Sequence, residues 1–211
     1  PEKRLPMSSR SRGRFDYGRH YQRSERPFQY RCRSAPRQVE VRLLHDLSGS
    51  MGSASTPGSN QYVSIRAAMM LHRACELAGV PFTHHGFMHG DPIPVTDPSM
   101  GVEAGRQAIA GVRSAGGTYL TPSLEMSARE CRDNTILFVL CDGWLEESDA
   151  ATCSRIAKRM RGQVVPLLIG GAAEALPLFK RVFGRAQPIS NVADLPRVVR
   201  TYLEAVAPVT S

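Results

Sequence analysis

The sequence predicts an α/β protein: a doubly wound, mostly parallel central sheet flanked by helices, preceded by an extended N-terminal arm. Three observations lead there. From residue 39 onward, short apolar stretches alternate with amphipathic stretches of helical length. One of them, "TILFVLC" (135–141), is apolar throughout, as a strand covered by helices on both faces must be. The net charge of +8 is confined to residues 1–38, which hold eleven Lys/Arg against three Asp/Glu, while residues 39–211 hold sixteen of each. The expected organisation is therefore a basic arm over residues 1–38 and a neutral domain over residues 39–211.

Taken in order, the arm is rich in Arg and Ser, contains Pro6, Pro27 and Pro36, and has no sustained period. Phe15, Tyr17, Tyr21 and Phe28 alternate with its arginines. Two readings stay open for it. The aromatics could pin the arm onto protein, or Arg10, Arg12, Arg14, Arg19 and Arg23 could contact phosphates while the aromatics stack on bases. "VEVRLLH" (39–45) then reads as a strand. Residues 60–79 place Val63, Ala67, Met70, Leu71, Ala74 and Ala78 on one helical stripe, stopped by Gly79. A second strand covers 80–87, a Gly- and Pro-containing stretch follows, and a helix is expected near 102–114. Residues 121–132 open like a helix, with Thr121 as N-cap, Pro122 at the first helical position and Glu125 in the first turns. After the apolar strand come a helix at 147–161, a strand at 163–169, a helix near 173–183, a short strand at 186–189 and a final helix over 194–206. Pro166 removes one ladder bond from its strand and predicts a bulge or a poorly paired side.

Bulk properties exclude several classes. At 211 residues, 42% hydrophobic and 22% charged, the chain has the composition of a soluble globular protein with a substantial core. No apolar stretch is long enough to span a bilayer, and no signal-peptide pattern opens the chain. It begins at Pro1, which suggests a processed or trimmed piece of something longer. Five scattered cysteines without a Cys-x-x-Cys pair argue for reduced thiols in a cytoplasmic compartment, against a disulfide framework or a cysteine zinc site.

In an open parallel sheet, ligands bind beyond the carboxyl ends of the strands, where strand order reverses. After the first domain strand comes Asp46-Leu47-Ser48-Gly49-Ser50; after "TILFVLC" comes Asp142-Gly143; between them "AGGTYLTPSL" offers Thr118 behind two glycines. Positions i, i+2 and i+4 of an extended or turning loop face one way, so Asp46, Ser48 and Ser50 fall on one side. All five groups are hard oxygen donors without imidazole or thiolate, a set suited to Mg²⁺ or Mn²⁺ rather than Zn²⁺. With hydroxyls in several positions, such an ion stays under-neutralised and can accept an acidic group from elsewhere.

"DLSGSM", "GGT" and "CDG", in that order and each after its strand, resemble the metal-ion-dependent adhesion site of von Willebrand factor A (VWA) domains. The likeness covers about residues 39–207. It implies Ser48, Ser50 and Thr118 as hydroxyl ligands, Asp46 and Asp142 as direct or water-mediated ligands, and a carboxylate donated by a partner protein. Within the family, "SIRAAMMLHRACELAGVPFTHHGF" and the upstream "GRFDYGRHY" look like the C-terminal domain of the CobT-type cobaltochelatase subunit and its phage-borne relatives. The long acidic region that group carries ahead of the domain is lacking. Related subunits work beside AAA+ ATPases, so the resemblance implies an ATPase partner and a bacterial or phage setting. The chain itself has no Gly-x-x-x-x-Gly-Lys-Ser/Thr loop and is not that ATPase.

Other candidate residues read as follows. His89 and Asp91 lie past the second strand on the metal side and could shape a binding rim. The adjacent His84 and His85 point to opposite faces of a strand and make a poor zinc pair. His45 is expected to face a helix as a hydrogen-bonded core histidine. Trp144, the single tryptophan, follows Asp142-Gly143 and is either a partner-binding anchor or a packing residue under the next helix. Glu146 and Glu147 suit a helix N-terminus, and Cys141 a buried strand position. Without a Gly-x-Ser-x-Gly elbow, or an acid or nucleophile beyond the metal set, no enzymatic activity is expected.

Overall fold

The structure, a computed structural model, describes residues 14–15, 28–29, 39–170, 172–189 and 191–206. The chain forms two compact units, residues 1–37 and 38–211. In the first, strand β1 (Arg14–Phe15) pairs antiparallel with β2 (Phe28–Gln29). Arg14 is thus in a strand, while Arg10, Arg12, Arg19 and Arg23 lie outside the described residues.

The second unit runs β3 (Glu40–Asp46), α1 (Asn60–Ala78), β4 (Phe82–Phe87), β5 (Ile93–Thr96), α2 (Val102–Gly111), α3 (Thr121–Glu130), β6 (Thr135–Cys141), α4 (Glu147–Arg159), β7 (Gln163–Leu168), α5 (Leu176–Phe183), β8 (Gln187–Pro188) and α6 (Leu195–Val206). Its sheet has the order β5-β4-β3-β6-β7-β8. Every pair is parallel except β4 with β5. From β3 the chain steps to β4 on one side and later to β6 on the other, so strand order reverses at β3 and β6. A crevice is expected beyond their carboxyl ends.

Two apolar layers cover this sheet. Ile136, Phe138 and Leu140 of β6 enter the core shared with Ala67 and Leu71 of α1, Ile109 of α2 and Val199 of α6. Leu137, Val139 and Cys141 enter the other, with Leu124 of α3, Cys153 of α4 and Phe179 of α5. Alternation along a fully buried strand thus explains why β6 is apolar at every position, each large side chain contributing about 1.5–3 kcal/mol. The four described cysteines outside the arm, Cys75, Cys131, Cys141 and Cys153, are buried free thiols. No described helix is long and apolar enough to cross a membrane.

Several local expectations change. The residues of α1 buried most deeply are Gln61, Ser64, Ile65, Ala67, Ala68, Leu71 and Cys75; of the expected stripe Ala67 and Leu71 are among them, Val63 and Met70 pack half-buried against the same core, and Ala78 is exposed. The stripe is rotated because α1 turns polar residues toward a polar patch of the sheet, described below. Gly79 does end the helix, at φ 62°, with its N–H on the carbonyls of Cys75 and Glu76. Helix α3 starts one residue early: Leu120 is its N-cap and Thr121 its first residue, because the Thr121 hydroxyl bonds to Asp149 instead of capping. The antiparallel strand β5 alternates Ile93 and Val95 with Pro94 and Thr96 over only four residues, and Pro94 within it is tolerable because β5 is an edge. Pro166 keeps an unbroken register with β6, and β8 pairs only with Leu167 and Leu168, so its other side is unpaired.

Candidate functional site

Asp46 is the last residue of β3, fully buried. Ladder pairing sets His45 opposite Leu140, so Asp46 and Asp142 leave neighbouring strand ends together. Past Asp46 the backbone bends back, and the Ser48 N–H donates to Asp46 Oδ1 at 2.8 Å. The Ser48 and Ser50 hydroxyls stand 3.0 Å apart, and a 3-10 turn over Gly49–Met51 is anchored by the buried Met51. The alternate positions of the sequence therefore do converge, through a tight turn.

A second loop is fastened onto the first. Ala115 N–H donates to the Leu47 carbonyl at 2.8 Å and Gly49 N–H to the Gly116 carbonyl at 2.9 Å. Gly116 has φ +68°, and a Cβ on Gly49 would stand 3.1 Å from the Gly116 carbonyl oxygen, so the contact needs both glycines. Tyr119 N–H reaches the Met88 carbonyl at 3.1 Å. Thr118, half-buried, is carried between these fixed points. Behind it, the buried carboxylate of Asp149 accepts from Leu120 N–H at 2.9 Å and from the Thr121 hydroxyl. Asp149, the third residue of α4, positions the Thr118 loop. Sequence reading passed over it, because an acid in a helix's first turn already has an explanation in the helix dipole.

The third loop carries Asp142, half-buried, whose Oδ1 accepts from Trp144 N–H at 3.3 Å. Gly143 sits at φ +92° and a Cβ there would lie 2.7 Å from Ala175 Cβ, so this loop lies tight against the segment before α5. Trp144 is 64% exposed, which answers the alternative left open by the sequence: it does not pack under α4. His89 and Asp91 are exposed; His89 Cβ is 3.8 Å from where a Cβ on Gly116 would stand, beside the second loop.

Electrostatically the site is short of positive charge. Burial pushes the Asp46 carboxyl up to about 6; the Ser48 hydrogen bonds oppose this and the charge of Asp142 adds to it. Neither aspartate is ion-paired among the described residues. Asp46 Oδ2 is buried with no hydrogen-bond partner. A buried carboxylate oxygen lacking a donor is unfavourable, and either a proton or a cation relieves it. The donor set, two carboxylates and three hydroxyls, suits an oxygen-preferring divalent ion. No group of three or more His, Cys, Asp and Glu that could hold a metal exists among the described residues, so hydroxyls must complete any such shell.

Beneath the site lies a polar layer. His45 is fully buried, with Nε2 2.7 Å from Ser64 Oγ on α1 and Nδ1 3.2 Å from His84 Nε2, one ring nitrogen donating to the other. Ser64 in turn donates to the Gln61 carbonyl at 3.0 Å. Burial holds the His45 pKa down to about 3 and His84 well below the ordinary histidine range, so the pair is neutral. His84 and the half-buried His85 do face opposite ways. Cys141, deeply buried, has its thiol pushed well up by burial and is no nucleophile.

No protein-family model matches the sequence, and no curated protein does. Solved structures do resemble the fold. BatB from Bacteroides thetaiotaomicron aligns over 80% of this chain and 98% of its own, with a TM-score of 0.64 and 15% identity. The vWF domain of the type V pili tip protein Mfa5 from Porphyromonas gingivalis aligns over 82% of this chain and 96% of its own, at TM-score 0.63 and 11% identity. The SpRpn10 VWA domain aligns over 75% and 93%, at 0.59 and 15%. At these identities the likeness speaks to architecture: the domain has the von Willebrand factor A-type fold, a six-stranded, mostly parallel sheet between two layers of helices.

Proposed function

We propose that this domain is a metal-ion-dependent, non-catalytic protein-interaction module. Asp46, Ser48, Ser50, Thr118 and Asp142 would hold Mg²⁺ or Mn²⁺, directly or through water. The ion supplies an under-neutralised positive centre for an acidic group of a partner protein. The observation that carries this reading is the buried, unpartnered Asp46 Oδ2 beside the paired Ser48 and Ser50 hydroxyls. In the chain's own terms, Ser48 N–H orients the Asp46 carboxylate, the Gly49–Gly116 bond holds the Thr118 loop in reach, and Asp149 braces that loop from behind. Trp144, exposed next to Asp142, offers an aromatic anchor at the rim, with His89 and Asp91 on the second-loop side. The likeness of the sequence to CobT-type subunits supports a role as adaptor to an AAA+ ATPase in a chelatase-like complex.

Thermal melting in a Mg²⁺ or Mn²⁺ titration tests the metal. At an ion concentration of 100 times Kd, stabilisation is about 2.7 kcal/mol, a rise of roughly 5–10 °C for a domain of this size. Asp46→Ala abolishes the rise, and a pull-down in Mg²⁺ loses its partner with the same variant. Melting that ignores the ion in the wild-type protein overturns the reading. A second reading, nucleic-acid or viral-assembly binding through the arm with the domain as scaffold, is favoured by the confinement of the excess charge to residues 1–38. It requires salt-sensitive nucleic-acid binding that disappears when residues 1–38 are deleted.

A further inference from the structure

Charge in the domain is balanced in number but not in place. Helices α3, α4 and the turns after them hold six cations, Arg129, Arg132, Arg155, Lys158, Arg159 and Arg161, and five acids, Glu125, Glu130, Asp133, Glu147 and Asp149, but where the two helices face each other three arginines stand against the single carboxylate of Glu125. These helices pack side by side on the face of the sheet away from α1. Between them lies a groove of about 390 Å³. Its α3 wall is Glu125, Ala128 and Arg129, and its α4 wall is Thr152, Arg155, Ile156 and Arg159. The spacings i, i+3, i+4 and i+7 show that the groove is made from one stripe of each helix rather than from loops.

The chemistry of the groove divides into floor and rim. Ala128 and Ile156 are half-buried and apolar, whereas Arg129, Arg155 and Arg159 are exposed. None of the three guanidiniums is paired with a carboxylate among the described residues. Arg155 Nη2 donates to Thr152 Oγ1 at 3.0 Å, which holds that guanidinium along the stripe. Arg155 and Arg159 stand at i, i+4, where like charges disfavour the helix by about 0.2–0.5 kcal/mol.

We propose that this groove binds an acidic segment of a partner protein, an apolar side chain of the segment resting on Ala128 and Ile156 and its carboxylates on Arg129, Arg155 and Arg159. Guanidinium forks match carboxylates in bidentate geometry. Phosphates match them too, but nucleic acid makes poor use of this groove: no aromatic lines it for base stacking, and its apolar floor would gain nothing from a phosphate backbone. The lining residues include none of the metal-site candidates, so this surface stands independently of the metal reading.

The test is amide chemical-shift mapping on the full chain. The probe is a synthetic peptide of about 12 residues carrying Glu and Leu at helical i, i+3, i+4 spacing. A peptide of equal charge without Leu and a single-stranded DNA of equal charge serve for comparison. Expected are shifts concentrated on residues 125–132 and 152–161. Affinity should fall at least about tenfold in Arg155→Ala/Arg159→Ala, both positions being exposed, and on replacing Leu. Melting of the double variant near the wild-type temperature shows that the loss is local, and running the titrations in chelator denies the peptide's carboxylates a divalent ion, so binding that persists there belongs to the groove. Shifts confined to residues 1–38, equal affinity of the double variant, or equal response to the DNA at the same amides would each overturn the proposal.

Discussion

Asp46→Asn, studied in chelator, should make the metal-free protein relatively more stable at neutral pH than in acid. Burial raises the Asp46 carboxyl from 3.8 to about 6 in the folded state. Below about pH 4 both folded and unfolded chains hold the proton and the carboxylate carries little penalty. Between about pH 4 and 6 the unfolded chain releases the proton first, so wild-type stability falls as pH rises; above about 6 the penalty is complete. Two pK units at 1.36 kcal/mol each give nearly 3 kcal/mol, of which about 2 kcal/mol develops between pH 4 and 7. The amide has its own hydrogen-bonding cost at Oδ2's position, but that cost does not titrate, so the difference between the two pH values isolates the carboxylate. His45 contributes with the opposite sign: its lowered pKa gives stability present above about 6.5 and lost as pH falls toward 3. It is common to both proteins and cancels in the comparison. Urea unfolding followed by circular dichroism at pH 4 and pH 7 measures the double difference. A value within about 0.5 kcal/mol of zero, or a variant favoured more in acid, would refute the account of Asp46 as a buried, under-compensated charge.

Two further outcomes separate the supporting parts of the site. Trp144→Ala should leave stability within about 0.5 kcal/mol and keep the metal-induced rise in melting temperature, while weakening partner capture at least about tenfold; loss of stability instead would make Trp144 a packing residue. Asp149→Ala strips the carboxylate from Leu120 N–H and the Thr121 hydroxyl, and should cost about 2–4 kcal/mol by urea unfolding and shift the metal midpoint upward through the loosened Thr118 loop. A shifted midpoint without lost stability, or neither effect, contradicts the bracing role.

The fold was legible because its strands obey simple rules. Residues 135–141 form a run too short for an ordinary helix, with Thr135, Ile136, Phe138 and Val139 favouring a strand and apolar residues on both faces favouring a central one, and the structure places β6 between β3 and β7. Gly79 announces the end of α1 through the left-handed conformation it adopts. Where the reading slipped, a tertiary partner outweighed the local signal. Thr121 has the composition of a cap, yet its hydroxyl is taken by Asp149, 28 residues away. Strand β5 was missed because its alternation, Ile93 and Val95 against Pro94 and Thr96, runs for only four residues, and a Pro within a run argues against a strand until its edge position is known.

The rotation of α1 shows why the site itself was only half legible. The stripe read from the sequence, through Val63, Met70 and Ala74, competes with a second apolar stripe through Ile65, Ala68, Leu71 and Cys75, and hydrophobicity alone does not separate the two. The helix instead buries Gln61 and Ser64, because β3 presents His45 there and a buried imidazole needs a partner. The sequence shows which oxygens follow the strands, and those residues are brought to one end of the sheet. It does not show the His84–His45–Ser64 chain underneath, since each member reads alone as an ordinary core or helix residue. That layer has a consequence for the carboxylate above it. The imidazoles are neutral, so they provide Asp46 with no compensating positive charge. A chain that places two carboxylates at one sheet end, with uncharged imidazoles beneath them, leaves the buried Asp46 Oδ2 to be relieved by a proton or by a cation.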